Sequence, residues 1–381
     1  MDIPFIYDKY VINRDFIGRK SECLALTGLL ANGENVVLSE PPRTGKKSLI
    51  QQTLFEMRLG GSSYSAAVVK MFNTRKCGEF LTRFAGTVIR SMASSPEEYE
   101  DIVSGLLEGT HFVFDRKRFA DHDEVVSLNW DPDRQDMEAT FALPFRLGEK
   151  SGTKIITVLD EFQSILSVEG YETILDAMEK VMKEYSGRNF SSIIFCGSKV
   201  NAMDFIFRHK GYFHRIAEHL PLHEIDEREI LEHIRRGFLK GGKDIEKELA
   251  AGICRLFRRN IWYINHFCAI CDSLSKGYIN QGIMMDALNA IISIHEPRFM
   301  DMMDSLTGHQ RSFLKAALDG VVKFSASEVI EQYSLNSSAN VKRLKDALMK
   351  KEILTFNEKE EPVILDPLFE YWVRKYYFET D

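Results

Sequence analysis

Long apolar runs are missing: no stretch of the 381 residues approaches the roughly 20 consecutive apolar residues that cross a bilayer. The segment Met1-Asp2-Ile3-Pro4-Phe5 has no basic stretch leading into an apolar one, so no export leader is expected. A cytoplasmic location without membrane contact is the expectation. Cysteine is sparse and scattered (Cys23, Cys77, Cys196, Cys254, Cys268, Cys271), which disfavours a disulfide framework and predicts reduced thiols. Positive charge is not in excess: 49 Lys+Arg stand against 56 Asp+Glu, a net charge of −7. That disfavours non-specific wrapping of nucleic acid and confines any DNA contact to a local patch. Internal repeats of about 20 to 50 residues and low-complexity tracts are also absent.

What is present has the balance of ordinary globular protein, 44% hydrophobic and 28% charged, with 24 Gly and 10 Pro. At roughly 150 residues per domain the length fits two or three domains. Short apolar, β-prone runs occur at 35–39, 66–72, 155–159, 193–196 and, more weakly, 219–222, with helical patterns between them. Strands alternating with helices predict an α/β fold, a parallel sheet covered on both faces. From Glu224 to about Ile294 the periodicity is helical without a convincing strand. Beyond Glu296-Pro297 follow helical patterns at 310–317, 326–333 and 339–349. Two β-like runs, 353–356 and 362–365, then flank an acidic turn. Three helices and a ribbon predict a winged helix. The expected domains are thus an α/β domain at 1–223, a helical lid at 224–295 and a winged helix at 296–381.

The run Asn35-Val36-Val37-Leu38-Ser39 enters Glu40-Pro41-Pro42-Arg43-Thr44-Gly45-Lys46-Lys47-Ser48 and then a helical pattern. Strand, glycine turn and helix is the layout of a phosphate loop. There, backbone N–H groups cradle phosphates, a lysine reaches the β- and γ-phosphates and a hydroxyl holds Mg²⁺. Gly45 and Lys46 fit; Glu40 stands at the first glycine and Lys47 at the hydroxyl position. Farther along, an apolar run ends in Asp160-Glu161. In a phosphate-loop enzyme the first acid, Asp160, binds Mg²⁺ through water and the second, Glu161, activates the attacking water. A third run, Ile193 to Cys196, ends in Gly197-Ser198. It brings a hydroxyl to the γ-phosphate position if its strand lies between the other two.

These residues resemble the archaeal-type ATPases of the STAND branch of the AAA+-related P-loop NTPases. The resemblance rests on Phe16-Ile17-Gly18-Arg19-Lys20-Ser21-Glu22, the phosphate loop, Leu159-Asp160-Glu161-Phe162-Gln163, Cys196-Gly197-Ser198 and Gly211 to Arg215. It continues through Asn260 to Ile264, Leu306 to Gln310 and Asp366 to Trp372. It implies an ASCE-type sheet core with a lid and a C-terminal winged helix. It further implies that Phe16, Gly18 and Arg19 flank adenine, that Pro42, Arg43, Thr44, Gly45, Lys46, Lys47 and Ser48 surround the phosphates, and that Ser198 senses the γ-phosphate. Arg215 is similar in position to an arginine used as finger or sensor. Three departures touch the nucleotide: Glu40, Lys47, and Ile261 where relatives carry a proline. Ser48 does not simply replace the missing hydroxyl, because one residue along a helix turns the side chain by about 100°. A lysine at the metal position supplies cationic charge that makes Mg²⁺ dispensable.

Two other patterns have plain readings. Cys268 and Cys271 near His266 lack a second cysteine pair and read as buried core thiols. Asp121-His122-Asp123-Glu124 reads as a solvated loop. In the winged helix, Lys342, Arg343, Lys345, Lys350 and Lys351 make a basic third helix, while Glu358, Glu360 and Glu361 make an acidic wing. An acidic wing repels phosphate, so self-association or a protein partner is favoured over DNA. The expected function is an ATP- and ADP-binding switch with weak or impaired hydrolysis. The alternative is a pseudo-ATPase whose winged helix binds DNA or a protein.

Overall fold

The structure, a computed structural model, describes residues 4–115 and 126–379; the run Asp121 to Glu124 lies outside them. The chain divides into two compact units, Lys20–Glu40 with Gln52–Leu222, and Met1–Arg19 with Pro41–Gln51 and His223–Asp381.

The first of these units carries a five-stranded sheet. Its strands are β1 (Asn35–Ser39), β2 (Tyr64–Lys70), β5 (Lys154–Asp160), β6 (Ser191–Gly197) and β7 (Ala217–His219), and β3 (Phe112–Phe114) pairs antiparallel with β4 (Val126–Leu128) in a separate ribbon. The sheet order is β2-β5-β6-β1-β7, and all its pairings are parallel. Its central strands are almost wholly apolar because helices cover both faces. Val36, Val37, Leu38, Ile155, Ile156, Ile193, Ile194 and Phe195 are all buried, each contributing about 1.5–3 kcal/mol on leaving water. Two flanking helices begin with reciprocal caps: Ser95 with Glu98 before Pro96–Leu106, and Asp133 with Asp136 before Arg134–Ser151. The expected strand at 219–222 is displaced to Ala217–His219, where pairing with Asn35, Val36 and Val37 of β1 sets the register. The β3–β4 ribbon is not foreseen by the sequence reading; at three residues per strand its alternation is too short to register.

The other unit is mainly helical. It contains Glu227–Lys240, Lys247–Leu256, Ile261–Leu274 and Gln281–Asp304, then Gly308–Leu318, Ser327–Gln332 and Ser338–Lys350. The ribbon Leu354–Phe356 and Pro362–Ile364 and the helix Pro367–Trp372 complete it. The expectation of no strand between Glu224 and Ile294 needs one amendment: Asp244–Ile245 pairs parallel with Tyr278–Ile279. The helix Gln281–Asp304 runs through Glu296-Pro297, where the lid and winged-helix segments are expected to meet. Phe5 is fully buried in this unit, and Gly237 makes the room: a Cβ there would lie 2.3 Å from the Phe5 ring. Phe369 and Trp372 pack on Phe299 with ring centroids 5.5 and 5.6 Å away, and the Trp372 indole donates to Glu296 Oε1 at 3.0 Å. Among the described residues, no helix is long and apolar enough to cross a membrane.

Candidate functional site

In the sheet unit the candidate residues gather at the C-terminal ends of the strands. The pairing Ser39↔Gly197 and Asp160↔Cys196 aligns the tips of β1, β6 and β5, with β6 in the middle. This meets the condition the sequence reading set for Ser198. Asp160 ends β5 and is buried, 8% exposed. Glu161 follows in the left-handed region at φ 60°, a conformation that costs an ordinary residue about 1–2 kcal/mol. That turn brings its carboxylate into a three-residue constellation. The Ser198 hydroxyl donates to Glu161 Oε2 at 2.5 Å and the Gln163 amide donates to the same oxygen at 2.6 Å. The Ser198 N–H in turn donates to Gln163 Oε1 at 3.3 Å. Gly197 packs closely here: a Cβ would lie 2.4 Å from Met203 Sδ and 2.9 Å from Gln163 Oε1, so these side chains would have to shift. Gln163 has no role in the sequence-based expectation; its position two residues after Glu161 in Leu159-Asp160-Glu161-Phe162-Gln163 is the local signal for it.

Glu40, the first departure from the phosphate-loop pattern, has a local use. Its Oε1 accepts the Leu222 N–H at 3.0 Å, and its own N–H donates to the Gly197 carbonyl at 3.4 Å. Arg215 is exposed and lies in the left-handed region at φ 60°, outside the Glu161 constellation.

In the helical unit the loop Pro41 to Gly45 opens the helix Lys46–Leu59. Gly45 has φ 92°, a conformation that favours glycine, and Arg43 takes the left-handed region at φ 68°. Lys46 is buried and its ammonium donates to the Pro41 carbonyl at 2.8 Å, which also accepts the Thr44 hydroxyl at 2.9 Å. The loop is thereby held as a tight turn ahead of a helix N-terminus, whose N–H groups and dipole favour anions. Arg19 ties the Gly18-Arg19 motif to it, donating to the Thr44 carbonyl at 3.0 Å and the His223 carbonyl at 2.8 Å. Gly18, at φ 65°, leaves no room for a Cβ, which would meet Ile225 at 2.7 Å. Phe16 is half-buried nearby in sequence, and Pro42 and Lys47 are exposed.

Mg²⁺ at a phosphate loop needs an oxygen ligand from the first helical turn. Lys47 offers an ammonium there, which has donors and no acceptor. The Ser48 hydroxyl oxygen accepts the Val11 N–H at 3.1 Å. Asp160 supplies a carboxylate from its own unit, but the loop's residues do not make the usual donor set. Among the described residues, His111, Asp133 and Asp136 form the one group with metal-ligand spacing. Their bonds are those of a helix cap: Asp136 accepts from the His111 ring at 2.8 Å and from the backbone of His111 and Asp133. Cys268 and Cys271 are buried free thiols, and burial pushes Cys271 up to about 12.

The second half of the loop faces aromatic residues of the same unit. The Arg43 guanidinium sits 4.0 Å from the Trp262 ring centroid and donates to the Tyr263 hydroxyl at 2.9 Å. That hydroxyl reaches Asp366 at 2.8 and 2.9 Å, and Arg298 donates to Asp366 at 2.6 Å. Asp366 also caps the helix Pro367–Trp372 by accepting the N–H groups of Leu368 and Phe369. Ile261, the third departure, starts the helix capped by Asn260 and places Trp262 and Tyr263 on its first turn. Burial and the Asp366 charge push the Tyr263 phenol well above its ordinary range. Burial, then the Arg43 and Arg298 charges, hold His295 down to about 4.

A model of a probable winged helix domain matches residues 297–375. No curated protein matches the chain. Among solved structures, the Walker-type ATPase of Pyrococcus abyssi is similar over 97% of this chain and 99% of its own, with a TM-score of 0.67 and 16% identity. The Aeropyrum pernix ORC2 protein in its ADPNP-ADP complexes is similar over 93% of both chains, with a TM-score of 0.54 and 14% identity. Its ADP form matches 95% of this chain and 93% of its own, with a TM-score of 0.53 and 13% identity. With the sheet order, the strand-to-loop-to-helix turn at Gly45-Lys46 and the C-terminal ribbon, these likenesses give this chain a P-loop ATPase fold with a C-terminal winged helix.

Proposed function

We propose that the protein binds ATP and ADP through its phosphate loop and acts as a nucleotide-controlled switch with weak hydrolysis. The observation that carries the reading is the sheet order β5-β6-β1. It sets the strand ending in Gly197-Ser198 between the strand that runs into the loop and the strand that ends in Asp160-Glu161. In this reading Lys46 and the loop N–H groups bind phosphates, with Pro42, Arg43, Thr44, Gly45, Lys47 and Ser48 around them. Phe16, Gly18 and Arg19 border the base. Glu161 orients and deprotonates water through Oε1, since both of its side-chain bonds end on Oε2. Ser198 reports the γ-phosphate to Glu161, and Arg215 serves as a finger or sensor. Asp160 is the carboxylate available to Mg²⁺, and Lys47 supplies positive charge in place of a loop-bound ion, so binding does not require the metal.

The winged helix is read as a module for a protein partner or self-association. Lys345, central to its basic helix, donates to Glu360 of the wing at 2.6 Å and lies 3.9 Å from the Phe356 ring centroid. One of the cations a DNA backbone would need is thus held by the acidic wing. The exposed Lys342 and Arg343 support the second reading, a pseudo-ATPase whose winged helix binds DNA or a protein. ATP turnover with and without Mg²⁺, alongside binding of a non-hydrolysable analogue, separates the two. Slow turnover that Glu161→Gln abolishes supports the switch, and binding without any turnover supports the pseudo-ATPase.

A further inference from the structure

The loop arginine is linked to Asp366 of the winged-helix segment through Tyr263 of the helix Ile261–Leu274, a link that nucleotide binding alone does not explain. Arg43 is the loop's guanidinium, and phosphate oxygens are its strongest class of partner, because a planar fork of donors matches them bidentately. Here it is stacked on Trp262 and bonded to the Tyr263 hydroxyl, in left-handed backbone at φ 68°. Tyr263 in turn is bonded to Asp366, the cap of the helix Pro367–Trp372. All of these residues belong to one compact unit. The chain loop, arginine, tyrosine, aspartate, helix cap is continuous: the side-chain links are 2.8 to 2.9 Å and the cap bonds to Leu368 and Phe369 are 3.0 and 3.1 Å.

We propose that Arg43 is a two-position latch: it grips Tyr263 when the loop holds no phosphate and turns to the phosphates when nucleotide binds, releasing Tyr263 and loosening its hold on Asp366. The inference rests on the nucleotide-binding reading above. It deepens that reading by naming the residues through which loop occupancy reaches the winged helix. A guanidinium cannot hold the phenol and a phosphate at full strength together, so the two partners compete. By linkage, whatever weakens the Tyr263 contact strengthens phosphate binding, and phosphate binding weakens the Tyr263 contact. Arg298 keeps its own bond to Asp366, so the cap is loosened by one partner and not dismantled.

The test is a double-mutant cycle on the full chain, with ATP and pyrophosphate as probes in titration calorimetry. Tyr263→Phe keeps the buried ring and removes the hydroxyl that Arg43 grips. The latch predicts that it tightens ATP about three- to tenfold and pyrophosphate comparably. Arg43→Gln should weaken both probes. In Arg43→Gln/Tyr263→Phe the tightening should vanish, because the effect of Tyr263 passes through Arg43. If Tyr263→Phe leaves the affinity unchanged, or tightens it equally with and without Arg43, the latch is wrong while nucleotide binding stands. If the unaltered protein binds neither probe, the nucleotide reading fails and takes the latch with it. Should Tyr263→Phe misfold, Asp366→Asn gives a second route. It lowers the pull on the Tyr263 hydroxyl and should tighten ATP by a smaller factor, again only when Arg43 is present; no change would contradict the latch.

Discussion

The Ser198 hydroxyl donates to Glu161 Oε2 at 2.5 Å, across 37 positions of sequence. It joins the end of β6 to the residue after β5. The same oxygen takes the Gln163 amide, so the orientation of the Glu161 carboxylate depends on two neutral donors and on a left-handed backbone. Ser198→Ala removes one of these donors without touching the phosphate loop. Turnover is expected to fall at least tenfold while ATP affinity changes by less than threefold. Steady-state kinetics beside calorimetry read the two separately, and an unchanged rate would remove Ser198 from the mechanism.

Gly197→Ala tests the same cluster through packing. Its Cβ would meet Met203 and displace Gln163 Oε1 from 2.9 Å, so stability should drop by about 1–3 kcal/mol, as for other overpacked sites. Turnover should drop with it. Urea unfolding that shows no loss would mean that Met203 swings away freely.

Lys47→Thr restores an oxygen where a loop-bound metal expects one. ATP binding by the unaltered protein should be nearly equal in EDTA and in Mg²⁺, whereas Lys47→Thr should raise both hydrolysis and its dependence on Mg²⁺. Brisk, strictly Mg²⁺-dependent turnover by the unaltered protein would contradict the role given to Lys47.

For the winged helix, affinity for duplex DNA at about 150 mM salt is expected to be micromolar or weaker, because the wing carries Glu358, Glu360 and Glu361 and holds Lys345. Glu360→Gln should release Lys345 and strengthen DNA binding with a steeper dependence on salt. Nanomolar, sequence-selective binding in a mobility-shift assay would promote the DNA-binding alternative.

A pH dependence follows from His295. Burial and two nearby arginines lower its pKa to about 4, and among the described residues its Nε2 has no hydrogen-bond partner. A histidine depressed in the fold binds its proton more readily when unfolded. Its contribution is therefore fully present above its unfolded pKa of about 6.5 and is lost as pH falls toward 4. His233 and His266, also lowered chiefly by burial, act in the same direction. Denaturant unfolding at pH 5 and 7.5 should show a smaller acid loss in His295→Phe; an identical loss would put the acid sensitivity elsewhere.

How much of this was legible in the sequence depended on how far each feature reaches along the chain. The strands at 35–39, 155–159 and 193–196 were visible because a sheet covered on both faces writes nearly continuous apolar runs; Asp160-Glu161 sits directly after one of them, and Gly45-Lys46 follows another across the short loop from Glu40 to Thr44. Glu40 read only as a departure; its bond to the Leu222 N–H, 182 positions away, leaves no local pattern. The same holds for Arg43, whose partner Tyr263 is 220 positions on, and for Tyr263 with Asp366, 103 positions on. Lys345 and Glu360 were read as opposed charges on a helix and a wing, which was correct as chemistry. That they bond each other depends on the ribbon's register.

The central claim is that the loop around Lys46 binds nucleotide phosphates. Titration calorimetry of ATP against the unaltered protein and Lys46→Ala, each in EDTA and in Mg²⁺, tests it most directly. A charge-assisted phosphate contact is worth about 1.5–3 kcal/mol, so Lys46→Ala should weaken ATP at least tenfold in both buffers. Equal affinity in the two proteins, or no binding by either, would contradict the account.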